Sequence, residues 1–164
     1  MPELVTERLR LRPLTEDDID DLAAVYQHPL VARWIGHHTR ERVAEELRCH
    51  TEYERTRGFS FLAVEERASG RFLGDCGLQP FEHRGPEVEL GYDLHPDAWG
   101  RGIATEAARA VVADAFGRLR LDRLVAVVRP DNIGSRRVLE KSGFHAVRDE
   151  VAYGIPMVRY EIAR

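Results

Sequence analysis

The sequence predicts an α/β layered domain built on a mixed sheet. Short segments that alternate polar and apolar residues, which is typical of strands, are interspersed with longer segments of helical spacing. The predicted order is one strand, two helices, three strands, a helix, a strand, a helix and two strands. This order differs from a regular βαβ alternation. Because the 164 residues contain no repeat or linker-like stretch, we expect a single domain over 1–164.

The N-terminal half supplies one strand and two helices before the main run of strands. Residues 8–12, Arg-Leu-Arg-Leu-Arg, alternate at period two and predict a half-buried strand. Thr15 is followed by three acids, which is typical of a helix N-cap and first turn. A second helix is expected to begin near Thr39 and to end at Gly58. The next three strands are predicted at residues 59–65, 71–80 and 87–94.

The C-terminal half places a glycine-containing loop between a strand and a helix. Residues 102–119 have helical spacing, and residues 123–129 are nearly all apolar, as in a buried strand. Asp131 or Asn132 is expected to cap the next helix, which ends at Gly143. The last two strands are predicted at residues 144–150 and 157–163.

Composition and charge argue against several classes of protein. A formal net charge of -4 disfavours a general nucleic-acid binder. Cys49 and Cys76 lack the spacing of a disulfide framework or a metal site, so we expect a reduced, cytoplasmic protein without metal. The first residues lack the apolar core of a secretory signal, and no stretch predicts a membrane span. Neither nucleic acid nor membrane is expected as a partner.

The loop after the strand at 87–94 is the first candidate for chemistry. Gly100 and Gly102 have no Cβ atoms, so main-chain N–H groups can approach a ligand closely. The helix start adds unpaired N–H donors and partial positive charge, and Arg101 could pair with a phosphate. A dinucleotide-binding loop would have a third glycine where Thr105 stands. On this loop alone, an anion site and a plain tight turn are equally good interpretations.

Four stretches of the sequence form a recognisable set in their order and spacing. They are Thr-Glu-Arg-Leu-Arg-Leu-Arg at 6–12, Gly-Tyr at 91–92, Trp-Gly-Arg-Gly-Ile-Ala-Thr-Glu-Ala at 99–107, and residues 132–144 from Asn to Phe. Together they resemble the GNAT N-acetyltransferase superfamily, most of all the branch of the ribosomal-protein-alanine N-acetyltransferases, the RimJ/RimL type. The resemblance covers nearly the whole chain. One departure is Trp99, which replaces the Gln or Arg common in the wider superfamily.

The resemblance implies a GNAT-like, mostly antiparallel sheet of six to seven strands with about four helices. Two central strands, matched here by 87–94 and 123–129, would splay apart and admit acetyl-coenzyme A as co-substrate, without a metal. Main-chain groups near 92–94 would bond the pantetheine arm and polarise the thioester carbonyl. N–H groups of 100–105 would hold the phosphates. The implied cofactor-binding residues are Tyr92, Asp93, Leu94, Gly100, Arg101, Gly102, Ile103, Ala104, Thr105, Asn132 and Ser135.

The resemblance also implies direct acetyl transfer to a primary amine in a ternary complex. Glu89 is the preferred catalytic base, directly or through water, and Glu87 on the same strand face is the reserve. Many members protonate the departing thiolate with a Tyr, but Leu139 stands at that position. In the RimJ/RimL-like branch the matching Ser135 has this role, beside Asn132. A first-turn serine and a plain N-cap remain the alternatives for these two residues.

The acceptor is the least determined part of the prediction. A peptide α-amino group (pKa ~7.7–8.0) needs about 1 kcal/mol to deprotonate at neutral pH, against roughly 4 kcal/mol for a lysine-type amine. A protein N-terminus, for example of a ribosomal protein, is therefore favoured. A small amine (polyamine, amino acid or antibiotic) and a non-catalytic acyl-CoA sensor are the alternatives. An acidic groove would favour a small cation, but the sequence shows no clear acidic cluster. Homodimers are frequent in the resembled family.

Two further regions are candidates for the acceptor pocket. His37 and His38, near Trp34, fall where the family builds part of this pocket, although adjacent histidines in a loop fit a surface position better. Tyr153 and Gly154, in the last loop, are candidates for the same pocket.

Overall fold

A single eight-stranded sheet runs through the protein, which we describe from a computed structural model over residues 2–164. Its strand order is β1-β2-β3-β4-β5-β6-β8-β7. All neighbours are antiparallel except β5 and β6, which are parallel. The strands are β1 (Leu4–Val5), β2 (Leu9–Pro13), β3 (Phe61–Glu66), β4 (Phe72–Pro80), β5 (Val88–Leu94), β6 (Arg123–Val128), β7 (His145–Ala152) and β8 (Ile155–Ala163). The predicted domain 1–164 also includes Met1, which lies outside the described residues.

Residues 2–164 form five α-helices that flank the sheet, and several of them begin or end at predicted residues. Thr39 Oγ1 accepts a hydrogen bond from the N–H of Arg42 at 3.2 Å, which caps α3. Gly58 ends α3 in the left-handed conformation, with φ of 77°. None of the helices formed by residues 2–164 is long and apolar enough to cross a membrane. The helices are α1 (Ile19–Gln27), α2 (Pro29–Ile35), α3 (Arg40–Arg57), α4 (Ile103–Gly117) and α5 (Ile133–Lys141).

The fold class and the order of the predicted elements are confirmed, with one strand and one helix more than predicted. β1 has two residues, too few for alternation to be visible. α2 follows α1 after one residue, because His28 ends the first helix and its Nδ1 accepts from the Leu30 N–H at 3.2 Å. Pro29 occupies the first position of α2, where its missing N–H costs nothing. Seven residues are too few for helical periodicity to be recognised.

The two faces of β4 and β5 contact different helices. Val88, Leu90 and Leu94 belong to the main core, which includes the fully buried small residues of α4 such as Ala107. On the opposite face, Tyr26 of α1 belongs to a second, smaller core formed with α3. Alternate residues of one strand therefore meet different surroundings.

The N-terminal segment is fastened to the first turn of α4. The Glu106 carboxylate accepts hydrogen bonds from Thr6 Oγ1 (2.6 Å), the Arg8 N–H (2.9 Å) and Arg8 Nε (2.7 Å). Arg8 Nη1 also donates to the carbonyl of Arg101 at 2.8 Å. Two stretches that the sequence singled out separately thus contact each other and hold the loop before α4.

Substitution of Gly77 tests how closely β3 and β4 pack. A Cβ atom here would lie 2.3 Å from both the Ser60 carbonyl oxygen and Phe61 Cα, and neither backbone atom can move freely. Gly77→Ala is expected to lower the free energy of unfolding by about 1–3 kcal/mol. At Gly117 in α4 nothing lies within 4 Å of an added Cβ, so Gly117→Ala is expected to raise it by about 0.5–1 kcal/mol. Urea unfolding followed by circular dichroism measures both; equal midpoints would contradict the prediction.

Candidate active site

β5 and β6 pair at one position and then diverge. Their single pair is Glu89 with Val125. On its other edge, β5 pairs with β4 continuously, from Val88 opposite Pro80 to Leu94 opposite Gly74. Beyond Glu89, the edge of β5 that would otherwise pair with β6 therefore faces an opening. The predicted splay of these two strands is present.

A cavity of about 600 Å³ lies in this opening, a size typical of small-ligand sites. It is bounded by the end of β5, the loop before α4, the starts of α4 and α5, and one side of α2. The predicted cofactor residues other than Arg101 all line it: Tyr92, Asp93, Leu94, Gly100, Gly102, Ile103, Ala104, Thr105, Asn132 and Ser135.

The glycine loop leaves its main chain accessible to the cavity. Gly100 and Gly102 adopt φ of 71° and 77°, the left-handed region that favours glycine. An added Cβ at Gly100 would meet no atom within 4 Å. Gly102 is the N-cap of the 15-residue α4, whose first N–H groups have no partner within the helix. Trp99 Nε1 donates to the Leu94 carbonyl at 2.9 Å and closes the loop. This arrangement suits an anion.

The side chain of Arg101 lies differently from its predicted position. Its guanidinium pairs with Glu66 at 2.8 Å, and Arg101 does not line the cavity. A phosphate contact of this side chain would require that ion pair to open. The Arg101 carbonyl accepts from Arg8, so this residue fixes the loop instead.

Two hydroxyl groups meet at the start of α5. Tyr92 Oη and Ser135 Oγ are 2.8 Å apart, and Tyr92 Oη also donates to the Ser135 carbonyl at 3.0 Å. These bonds are satisfied together when Ser135 donates to Tyr92. Burial raises the pKa of Tyr92 well above its usual value, so this hydroxyl keeps its proton. The sequence motif predicted only that the main chain of Tyr92 contacts the cofactor. It did not predict the contact between the two hydroxyl groups.

Asn132 is the N-cap of α5 and also lines the cavity. Its Oδ1 accepts from the Ser135 N–H at 3.1 Å, and its amide nitrogen is not used by that bond. Asn132 can therefore cap α5 and contact a cofactor at the same time. Leu139, at the position of the usual family tyrosine, is buried in the main core.

Glu89 is buried on the α1–α3 side of β5 and does not line the cavity. Its carboxylate accepts hydrogen bonds from the Tyr153 hydroxyl and from Gln79 Nε2, the latter at 3.1 Å. Burial raises the pKa of Glu89 to about 7, and the two hydrogen bonds limit this rise. A carboxyl group with this pKa can accept and release a proton near neutral pH.

Tyr153 is held over Glu89 by the loop that follows β4. The Glu82 N–H donates to Tyr153 Oη at 3.0 Å, and the Tyr153 N–H donates to Glu82 Oε1 at 3.1 Å. Tyr153 and Glu82 both have φ of 52°, a conformation that costs about 1–2 kcal/mol per residue. The reciprocal hydrogen bonds offset this cost and fix the tyrosine hydroxyl on the buried carboxylate.

The remaining candidates lie in different surroundings. Glu87 is engaged in ion pairs with Arg159 (2.5 Å) and Arg123 (3.0 Å). His37 is exposed, whereas His38 is buried and Trp34 of α2 lines the cavity.

Comparison with known proteins identifies the class that this fold and site define. The family model described as "Acetyltransferase (GNAT) domain" matches residues 8–145. The uncharacterized N-acetyltransferase YoaA of Bacillus subtilis (strain 168) is 31% identical over 147 residues, 87% of this chain and 82% of YoaA. The chain belongs to the GNAT acetyltransferase family, and it is an acetyl-CoA-dependent N-acetyltransferase.

Solved structures share the fold across the whole chain. The acetyltransferase from Agrobacterium tumefaciens str. C58 has a TM-score of 0.88 and 27% identity, covering 100% of this chain and 95% of its own. RimL, a ribosomal L7/L12 α-N-protein acetyltransferase solved with coenzyme A, has a TM-score of 0.82 and 17% identity, covering 99% and 98%. The RimJ/RimL-type likeness is therefore real but distant, and at this identity it shows the fold alone.

The surroundings of Glu89 predict how its carboxyl group titrates. Carbon-13 NMR of the glutamate carboxyls, with Glu89→Gln as the assignment variant, should show one group titrating near pH 7. Tyr153→Phe removes a hydrogen bond to the charged form and is expected to raise this pKa further, by about one unit. Tyr53→Phe is the matched control, because Tyr53 donates to the His83 carbonyl of the same loop. Titration near pH 4.5, or an equal effect of both variants, would contradict the prediction.

Proposed function

We propose that this chain transfers the acetyl group of acetyl-CoA directly to a primary amine while both substrates are bound. The observation that carries the proposal is the divergence of β5 from β6 after Glu89. It opens a cavity lined by the residues at which the family motif holds coenzyme A. The side chains on the two faces of β5 then supply the proton transfers that the reaction needs.

The phosphates of coenzyme A bind the loop and first turn from Gly100 to Thr105. Left-handed glycines and unpaired N–H groups favour a polyanion there although the net charge of the chain is negative. The pantetheine arm takes the place of a strand beside β5, where main-chain groups of 92–94 face the opening. An N–H of this segment stabilises the charge that develops on the thioester oxygen.

Glu89 is the general base, and it acts through water because it does not line the cavity. It receives the first proton of the acceptor ammonium, which leaves a neutral amine to attack the thioester carbonyl carbon. Tyr153 is a positioning residue that holds the Glu89 carboxylate.

Ser135 is the general acid on the other face. As the C–S bond breaks, its hydroxyl protonates the departing thiolate, while Tyr92 Oη keeps its own proton and positions the Ser135 hydroxyl through the 2.8 Å contact. The nitrogen releases its second proton as the amide forms, and water carries this proton to Ser135 Oγ, which restores the serine hydroxyl. One proton, on Glu89, is then released to water.

The pKa comparison between amines supports a protein N-terminal α-amino group as an acceptor, because such a group needs little help from a base. An alanine-first peptide therefore belongs in any acceptor panel beside small amines.

Substitution of Ser135 tests the acid. Ser135→Ala is expected to lower kcat about 10²-fold at little change in KM for acetyl-CoA, since proton transfer to the leaving group is lost. Folding should be unaffected, because the Asn132 cap bonds the main-chain N–H. Thiol release from acetyl-CoA with an amine panel measures the effect. Ser69→Ala, in the exposed turn between β3 and β4, is the control. Unchanged kcat in Ser135→Ala would remove this residue from the mechanism.

The pH profile tests the base. Because Glu89 must be ionised to accept a proton, kcat/KM should rise as pH increases through about 7. Glu89→Gln is expected to lower kcat/KM about 10²-fold and to abolish this rise of kcat/KM with pH. Glu87→Gln is the matched comparison. If the rise disappears in Glu87→Gln alone, the base is Glu87.

A further inference from the structure

A buried arginine on the α1–α3 side of the sheet joins segments that the sheet itself does not connect. Tyr160 of β8 belongs to the main core, so its neighbour Arg159 points to the opposite face. Arg159 is only 3% exposed. Its guanidinium pairs with Glu161 of β8 at 2.7 Å, with Glu150 of β7 at 3.4 Å, and with Glu87 just before β5 at 2.5 Å. The β7–β8 hairpin is therefore tied to β5, although β6 lies between them in the sheet.

The three carboxylates have two further partners. Arg123 of β6 pairs with Glu87 at 3.0 Å and with Glu161 at 3.7 Å. Arg148 of β7 pairs with Glu150 at 2.9 Å. Three guanidinium groups thus balance three carboxylates, and none of these charges is left uncompensated. Because the network as a whole is neutral, we expect it to fix positions rather than to impose a strong field on its surroundings.

The buried guanidinium also contacts the loop that covers Glu89. Arg159 Cζ lies 5.4 Å from the centre of the Phe81 ring, a cation–π distance. The Phe81 ring meets the ring of Tyr153 edge-on, with their centroids 6.1 Å apart. Tyr153 lies in the turn of the β7–β8 hairpin, and its hydroxyl donates to Glu89. Arg159 therefore contacts both the stem of this hairpin and the loop after β4, the two segments that hold the Tyr153 ring.

The turn that carries Tyr153 has little apolar burial of its own. Val151 and Ile155, on either side of it, are 71% and 38% exposed. Tyr153 and Gly154 have left-handed φ of 52° and 76°. Segments with few buried apolar contacts open at low cost in free energy. The position of this turn therefore depends on the polar contacts of the hairpin stem and of the loop after β4.

We propose that Arg159 is a positioning residue for the proposed base, because it fixes the hairpin and the loop so that the Tyr153 hydroxyl stays on Glu89. This inference rests on the proposed acetyl transfer. The planar fork of a guanidinium can bond three carboxylates at once and present its flat face to Phe81. A lysine ammonium keeps the charge but cannot do both.

Carbon-13 NMR titration of the Glu89 carboxyl tests the proposal without the need for turnover. Arg159→Lys keeps the charge but loses the fork, so the Tyr153 hydroxyl is expected to leave the carboxylate. The pKa of Glu89, which burial raises to about 7, should then rise further by about one unit. In a Tyr153→Phe background the same substitution should cause no further rise, because the hydrogen bond is already absent. The side chains that act on this carboxyl are those of Tyr153, Gln79, Asp93 and Glu82.

The pH profile of kcat/KM separates positioning from a loss of structure. A rise of about one unit in the pKa of the base lowers kcat/KM about tenfold near pH 6 and less than about twofold near pH 9. Partial unfolding would lower kcat/KM at every pH. Phe81→Leu keeps every ion pair and removes the ring between Arg159 and Tyr153, so it should shift the pKa in the same direction. Arg148→Lys is the matched control in the same network and should behave as wild type.

Several results would overturn the proposal. They are an unchanged or lowered pKa of Glu89 in Arg159→Lys or in Phe81→Leu, an equal shift in Arg148→Lys, and additive shifts of Arg159→Lys and Tyr153→Phe. If Arg159→Lys does not fold, the titration of Phe81→Leu decides alone. If the pKa shifts as expected but Glu89→Gln leaves kcat/KM unchanged, Glu89 is not the base of the proposed function, whereas its positioning through Arg159 stands.

Discussion

The divergence of β5 from β6 is the feature on which the rest of the site depends. A central strand of a sheet normally satisfies its main-chain groups on both edges, and unpaired groups away from water are costly. β5 pairs fully with β4 but with β6 only at Glu89. The unpaired edge thus needs a partner of main-chain character. In the proposed mechanism, the amide-containing arm of coenzyme A is this partner and completes the sheet that the chain leaves open.

The alternation of β5 then divides the chemistry between the two faces. Tyr92 points towards α5 and meets Ser135, whereas Glu89 and Asp93 point towards the helices α1–α3. Because neighbouring side chains of a strand lie on opposite faces, the sheet separates the proposed acid Ser135, which Tyr92 contacts, from the proposed base Glu89. In the proposed mechanism, acetyl-CoA enters along the strand edge between this acid and this base. This geometry favours direct transfer over a covalent enzyme intermediate.

The sequence predicted the fold class because local patterns of polar and apolar residues follow in a recognisable order, and its resemblance to the GNAT superfamily predicted the splay. Thr39, Gly58 and Asn132 delimit helices through caps that short-range chemistry determines. The sequence could not predict that Asp75 and Asp93 are neighbours, since they meet only through strand pairing. The raised pKa of Glu89 was equally hidden, because it results from burial under a loop 64 residues away. β1 and α2 were missed because two and seven residues are too few for the periodic patterns of a strand and a helix to be recognised.

The buried carboxyl groups are maintained at the expense of stability. Glu89 and Asp93 have folded-state pKa values of about 7 and about 6, above those of an unfolded chain. The folded protein therefore binds more protons between roughly pH 4 and 7, and its stability from these groups falls as pH rises through that range. At neutral pH the site carries the cost of holding charge in poorly solvated surroundings.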